Sequence, residues 1–112
     1  MKTIPEDIKQ SCLDFKNNPR IRNLAFKDIS TYSQSDNERI PTVWSIDSLE
    51  FDFTVVWGHI YHPNNWILRC RSLGIDQKEL SSRNITDVIV EALKICRRRI
   101  NYYNAILNNS NI

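Results

Sequence analysis

The sequence predicts an α+β fold: a small antiparallel sheet of about three or four strands, packed by a long C-terminal helix and a short N-terminal helix. Apolar and polar residues alternate over residues 49–57 and again over 66–71, which is the period of a half-buried strand. Between residues 89 and 107, apolar residues recur at helical spacing instead. The two periods in one chain, strands first and the long helix last, favour the α+β class.

Length and composition are those of an ordinary globular domain. The chain has 112 residues, of which 41% are hydrophobic and 25% charged, so we expect one domain over residues 1–112. Its 3 cysteines are widely spaced and odd in number, which disfavours a disulfide framework. No signal-peptide pattern and no long apolar run occurs in the sequence, so we expect a cytoplasmic protein that does not enter a membrane.

The N-terminal helix is predicted from a capping box and an apolar face. Thr3 and Glu6 have the spacing at which each side chain satisfies the other residue's backbone N–H. Ile8, Cys12 and Phe15 then share one face, and the segment Asn17-Asn18-Pro19 ends the helix. Residues 19–32 match both a helix and a strand, and we favour a short helical turn that runs into a strand. Residues 33–41 are polar and are predicted to form a loop.

The strands are predicted from three apolar patterns. Val43, Trp44 and Ile46 form a first β segment, whose phase differs from that of residues 49–57, so a turn or bulge is expected near residues 47–48. The run 66–71 follows a turn predicted at 62–65 and completes a hairpin. An odd-numbered residue must oppose an even-numbered one to bring the apolar faces together. The register that also pairs opposite charges on the outer face sets Phe53 opposite Cys70, Asp52 opposite Arg71 and Thr54 opposite Arg69.

The last part of the chain is predicted to be a polar connection followed by the long helix. Residues 76–83 are polar, with one helical turn expected at 77–80. Asn84 or Thr86 can cap the helix, and Asp87 favours the positive end of its dipole. The apolar stripe of this helix, which should cover the sheet, consists of Ile89, Leu93, Cys96, Ile100, Tyr103 and Leu107.

A basic cluster on the C-terminal helix is the first candidate binding site. It consists of Lys94, Arg97, Arg98, Arg99 and Tyr102. Clustered arginines attract phosphates, and a neighbouring tyrosine can stack on a base, so the cluster is a candidate site for an anionic partner such as nucleic acid. The competing interpretation is a solvated helix face, because basic faces of this size are common.

A surplus of apolar residues opposite the expected core is the second candidate site. These residues are Trp44, Ile46, Val56, Ile60 and Ile67. An antiparallel sheet normally keeps its outer face polar, so such a surface predicts a covering element or a partner.

Chemistry-bearing motifs give no catalytic or metal site. His59 and His62 stand three apart, which in a strand directs them to opposite faces, and the cysteines form no Cys-x-x-Cys pair. All three cysteines fall on apolar faces, where a thiol acts as a packing residue. With 2 glycines the chain has no glycine-rich phosphate loop. We therefore expect no cofactor and identify no small-molecule substrate, and a small enzyme stays a third alternative for which no site can be named.

The function predicted from these observations is that of a small regulator or adaptor without enzyme activity. It acts through protein–protein contacts with a partner or with a second copy of itself. The alternative is a nucleic-acid-binding protein that uses the basic C-terminal helix.

Overall fold

The computed structural model describes residues 4–35, 38–48 and 50–109. In these residues the chain forms two helices and one antiparallel sheet, which confirms the α+β class. The sheet has 6 strands and is larger than predicted. Helix α1 spans Glu6–Asn17 and helix α2 spans Ile85–Asn108. The strands are β1 (Arg20–Ile21), β2 (Leu24–Asp28), β3 (Val43–Ile46), β4 (Thr54–His59), β5 (His62–Cys70) and β6 (Ile75–Glu79).

The sheet is a meander in which each strand pairs with the next one along the chain, in the order β1-β2-β3-β4-β5-β6. Both helices supply side chains to the same core as the inner face of the sheet, so the fold has two layers. Helix α1 contributes Ile8, Cys12 and Phe15, and α2 contributes residues between Ile85 and Cys96. Besides Phe15 of α1, the large rings of the core come from the strands and from the segment just before β4. They are Phe26, Trp44, Phe53, Trp57 and Trp66.

Two strands stand where helical turns were predicted. The turn between β1 and β2 has positive φ at both Arg22 (48°) and Asn23 (71°). Two such residues form the hairpin turn whose twist matches that of the flanking strands, so the predicted helical turn before β2 is wrong. The helical turn predicted at 77–80 is also wrong, because β6 pairs with β5 there. Gly74, at a φ of 71°, ends a short 3-10 turn (Arg71–Leu73) and directs the chain into β6.

The predicted register between β4 and β5 is confirmed at Thr54, whereas the predicted pairs of Phe53 with Cys70 and Asp52 with Arg71 lie before the first paired residue of β4. Thr54 pairs with Arg69 and Val55 with Leu68. The turn predicted at 62–65 is wrong, because the chain turns at 60–61 and β5 already begins at His62. Strand β4 begins at Thr54, so residues 51–53 are not part of it, and Leu49 lies outside the described residues.

The side chains of Asp52 and Arg71 do not form the predicted charge pair. The Asp52 carboxylate instead accepts the backbone N–H groups of Arg71 at 3.1 Å and Ser72 at 3.2 Å. It also accepts the Ser72 hydroxyl at 2.7 Å. The carboxylate therefore stabilises the start of the 3-10 turn through hydrogen bonds to the backbone.

The two helices meet near their N-terminal ends. Asn84 caps α2 as predicted, since its side chain accepts the Thr86 N–H at 2.9 Å. Helix α1 begins after Pro5, and Thr3, the predicted cap, lies outside the described residues. The Ser11 hydroxyl of α1 accepts the Ile85 N–H at 3.3 Å, and the Arg83 guanidinium donates to Asp7 at 2.7 and 3.0 Å. These contacts join the two ends of the fold.

Across residues 4–35, 38–48 and 50–109, neither helix is both long enough and apolar enough to cross a membrane.

Candidate binding surface on the C-terminal helix

Trp44 and Ile46, predicted to lie on the outer face of the sheet, belong to the core side. Trp44 pairs with Val55, so the two side chains share a face. It is 2% exposed, its ring packs edge-on against Phe15 with centroids 4.9 Å apart, and its Nε1–H donates to the Pro41 carbonyl. Ile46 packs against the same core. The core-facing residues are even-numbered in β3 and odd-numbered in β4. The prediction failed because it assigned the even-numbered residues of β3 to the outer face.

The other three residues of the predicted interface do not form one surface. Val56 and Ile67 are cross-strand partners outside the main core cluster, but Ile67 is fully buried and Val56 is half-buried. Ile60 is exposed at the tip of the β4–β5 hairpin. The large exposed apolar side chains of the described chain concentrate instead near the end of α2.

The predicted apolar stripe of α2 reaches the core only in its first half, where Leu93 is half-buried. Ile89 and Cys96 are in the core, whereas Ile100 is 42% exposed and Leu107 is 67% exposed. Tyr103 is the last stripe residue with a hydrogen bond to the domain, since its hydroxyl donates to the Leu73 carbonyl at 3.0 Å. Residues 100–109 contribute no side chain to the core and keep contact with the 3-10 turn through Tyr103, and we call them the overhang.

The stripe has the spacing of a helix–helix seam. Its six positions, from Ile89 to Leu107, are separated by four, three, four, three and four residues. This is the heptad pattern in which the apolar seam of one helix faces that of another. The sheet and α1 cover the first half of the seam, and the overhang presents the second half to solvent. The heptad spacing is visible in the sequence, and it is the signal that could have located this surface.

The predicted basic cluster lies on the outer side of α2. Lys94, Arg97, Arg98 and Tyr102 are exposed and Arg99 is half-buried. Three ion pairs join described residues: Lys9 with Glu38, His62 with Glu79, and Arg83 with Asp7. None of them uses a cation of this cluster.

The structure adds Lys78 to part of this cluster. A shallow depression of about 250 Å³ lies between β6 and α2 and is lined by Lys78, Ile95, Arg98, Arg99 and Tyr102. Sequence reasoning missed Lys78 because it placed residues 77–80 in a helical turn. No pattern in residues 75–79 indicates that this strand lies beside α2.

Acidic residues lie at the other end of the basic cluster. Asp87 and Glu91 line a neighbouring depression together with Lys94 and Arg98. Both oxygens of Glu91 accept backbone N–H groups of Ser81 and Ser82 at 2.8–3.1 Å. Desolvation opposes the charge of Glu91, but these hydrogen bonds outweigh it and hold the pKa of Glu91 below its usual value. Lys94 therefore has acidic neighbours that Arg99 and Lys78 do not share.

The two histidines come together at the β4–β5 turn. His59 and His62 are cross-strand partners there, with ring centroids 5.9 Å apart, although their spacing in a strand would direct them to opposite faces. The Nδ1 atom of His62 lies 2.6 Å from an oxygen of Glu79. Within the described residues no group of three His, Cys, Asp or Glu side chains is placed to hold a metal ion.

The three cysteines are buried and are not joined by disulfides. Burial raises the pKa of Cys12 and of Cys96 to about 12, and it also raises the pKa of Cys70. Cys70 Sγ lies 3.5 Å from Asp52 Oδ1, a negative neighbour that adds to the effect. Since the thiolate is the nucleophilic form, these sites are unfavourable for nucleophilic catalysis.

Comparisons with family models, with curated proteins and with solved structures find no match for this chain.

Proposed function

We propose that this protein is a non-enzymatic interaction protein that self-associates through the apolar stripe of the overhang. The observation that carries the proposal is the exposure of Ile100, Tyr103 and Leu107 in continuous heptad register with the buried half of the stripe. Knobs at this spacing fit the holes of another helix. A helix is therefore the kind of element that suits the overhang.

A second copy of the chain supplies such a helix in a two-fold arrangement. The sheet covers the stripe as far as Cys96, so a parallel pair of overhangs would bring two domains to the same end of the helices. An antiparallel pair places the domains at opposite ends, and the same patch then serves both copies.

The charges of α2 are compatible with this antiparallel pairing. The described residues of the overhang carry no charged side chain, and the nearest cations, Arg97 to Arg99, lie at its domain end. In an antiparallel pair the arginines of the two copies lie at opposite ends of the contact, so like charges do not meet. The contact involves about three helical turns per copy, which corresponds to a weak interface of less than about 1,200 Å² in total.

Light scattering after size-exclusion chromatography tests the proposal. We expect the molar mass of the wild type to rise from monomer towards dimer between micromolar and submillimolar concentrations. The Ile100→Ser/Leu107→Ser variant should remain monomeric over the same range, because it places two hydroxyls in the seam. Its circular dichroism should match the wild type, because both side chains are substantially exposed in the monomer.

The matched control removes two exposed apolar side chains outside the overhang. Leu24 and Ile60 lie on β2 and on the β4–β5 turn, so the Leu24→Ser/Ile60→Ser variant should dimerise like the wild type. A wild type that is monomeric at every concentration would contradict self-association. A dimer that survives the Ile100→Ser/Leu107→Ser change would show that another surface mediates it.

A further inference from the structure

The depression between β6 and α2 collects cations from two separate elements. Lys78 pairs with Leu68, a core residue, and therefore extends from the edge strand on the side where α2 lies. Arg98 and Arg99 come from α2 and line the same depression of about 250 Å³. Ile95 and Tyr102 complete the lining. The arrangement depends on the fold, since Lys78 is twenty residues from Arg98 in sequence.

The lining of this depression is cationic, although Arg98 also lines the neighbouring depression that holds Asp87 and Glu91. None of the described residues that line it is acidic. The nearest carboxylate on the helix, Glu91, lines the neighbouring depression and accepts hydrogen bonds from Ser81 and Ser82. Three cations thus share one concave surface, a condition that favours binding of a phosphate. Arginine pairs with phosphate through two parallel N–H groups, which adds orientation to the attraction.

An exposed aromatic ring lies at this cationic site. Tyr102 is 60% exposed and lines the depression with Arg98, one helical turn earlier on α2. An exposed ring beside phosphate-binding side chains offers a stacking surface for a base. We propose that the depression is a binding site for single-stranded nucleic acid, with phosphates on Lys78, Arg98 and Arg99 and a base stacked on Tyr102.

The exposed ring of Tyr102 favours a single strand over other phosphate-bearing partners. Bases can stack on a side chain only where they are not already stacked and paired, as in single strands. A duplex presents its phosphates but keeps its bases inside, so it would leave Tyr102 without a role. A phosphopeptide would also engage the cations and leave the ring unused. The site lies on a different side of α2 from Ile100 and Leu107, although the Tyr102 ring contacts the ring of Tyr103 in the stripe, with centroids 5.8 Å apart.

Fluorescence anisotropy with a labelled oligothymidylate of about twenty nucleotides tests the site. We expect wild-type binding that weakens steeply as salt rises from about 50 to about 200 mM. The Lys78→Gln/Arg98→Gln/Arg99→Gln variant should bind more weakly. The slope of log affinity against log salt should fall by about 2, since each phosphate contact on a single strand contributes about 0.7. Circular dichroism of the variant should be unchanged, because none of the three side chains is in the core.

The matched control removes the same charge elsewhere. Lys16, Arg20 and Lys27 are exposed near the opposite end of the sheet, so the triple glutamine variant there should keep the wild-type affinity. Tyr102→Ala should lower the affinity about five-fold or more without changing the salt slope, and Tyr102→Phe should retain it.

Three results would overturn the proposal. The first is the absence of oligothymidylate binding by the wild type at about 50 mM salt, including the case in which a phosphopeptide binds instead. The second is an equal loss of affinity in the two triple variants, which would show that binding depends on the net charge of the protein and not on this site. The third is a Tyr102→Ala variant that binds like the wild type, because the strand would then be held without base stacking.

Discussion

Asp52 shows how one carboxylate can determine the path of the chain between two strands. It precedes β4 and accepts three hydrogen bonds from Arg71 and Ser72, at the point where β5 ends and the 3-10 turn begins. A carboxylate that accepts several N–H groups is stabilised in its ionised form. The Ser72 hydroxyl and backbone accordingly hold the pKa of Asp52 below its ordinary value of 3.8.

Asp52→Asn should therefore destabilise the protein in a pH-dependent manner. Because the pKa is lower in the folded state, the charge of Asp52 contributes stability above pH 3.8, and this contribution is lost as pH falls through the folded-state pKa. We expect urea unfolding to show a lower free energy of unfolding for the variant near pH 7 and convergence with the wild type once the pH is below the folded-state pKa of Asp52.

The control for this prediction is Asp76→Asn, which removes one negative charge from an exposed position on β6. It reports the effect of net charge by itself. A difference between wild type and Asp52→Asn that persists unchanged down to pH 2 would contradict the electrostatic account. The loss of stability would then come from the different hydrogen-bonding groups of the asparagine side-chain amide and not from the missing charge.

Residue-level patterns in the sequence identified the hairpin register but not the partner atoms. Alternation required an odd-numbered residue opposite an even-numbered one, and the expected charge pair of Asp52 with Arg71 selected the register that places Thr54 opposite Arg69. The expected pair has Asp52 facing the Arg71 side chain, whereas the carboxylate takes the backbone N–H. The alternation of apolar residues determines which faces of the two strands meet. Whether the Asp52 carboxylate binds a guanidinium or a backbone N–H depends on the geometry of the turn after β5, and the alternation carries no information about that turn.

Helix α2 performs two roles along its length. Its first half supplies Ile89 and Cys96 to the core, and its second half carries the same apolar stripe beyond the sheet. The period of the stripe was predictable because it is written in the sequence. The point along α2 at which the sheet ends was not predictable, because it depends on the arrangement of six strands. Isoleucines on one helix can therefore differ widely in burial, as Ile89 (fully buried) and Ile100 (42% exposed) do.

A matched pair of isoleucines measures this difference. Ile89→Ala removes methyl groups from a fully buried site and should lower the free energy of unfolding by about 2–5 kcal/mol. Ile106→Ala makes the same change on the overhang and should alter it by no more than about 0.5 kcal/mol in dilute monomer. Leu93 is half-buried, so its truncation should fall between these values. Equal losses for Ile89 and Ile106, in urea unfolding at low concentration, would contradict a free overhang.

Edge strands were the elements least accessible to sequence reasoning. In β6, of sequence Ile-Asp-Gln-Lys-Glu, only Ile75 is buried, so it shows no alternation of apolar residues. Its strand conformation comes from hydrogen bonding to β5, and such tertiary pairing overrides weak local preference. Central strands β4 and β5 were recognised because they bury alternate residues. The same edge position places Lys78 beside α2, so the missed strand also concealed a residue of the candidate anion site.

At the scale of the whole molecule, the topology is local except at the ends. Every strand pairs with its sequence neighbour, so the connections that close to form the sheet are short except for the one between β2 and β3, over residues 29–42. The exception is the contact between α1 and α2, where Ser11 and Ile85 are separated by 74 residues. Long-range contacts incur a larger loop-closure entropy and tend to form after local ones. We therefore expect the β4–β5 hairpin to form before the helices meet.

Folding kinetics of two variants test this order. Ser11→Ala leaves the buried Ile85 N–H without its acceptor and should cost about 1–3 kcal/mol, nearly all of it as faster unfolding. Val55→Ala, at a fully buried site of β4, should be comparably destabilising but should mainly slow folding. Stopped-flow measurements over a range of urea concentrations separate the two rates. If Ser11→Ala instead slows folding while Val55→Ala speeds unfolding, the expected order is wrong. The helices would then meet before the strands of the meander pair.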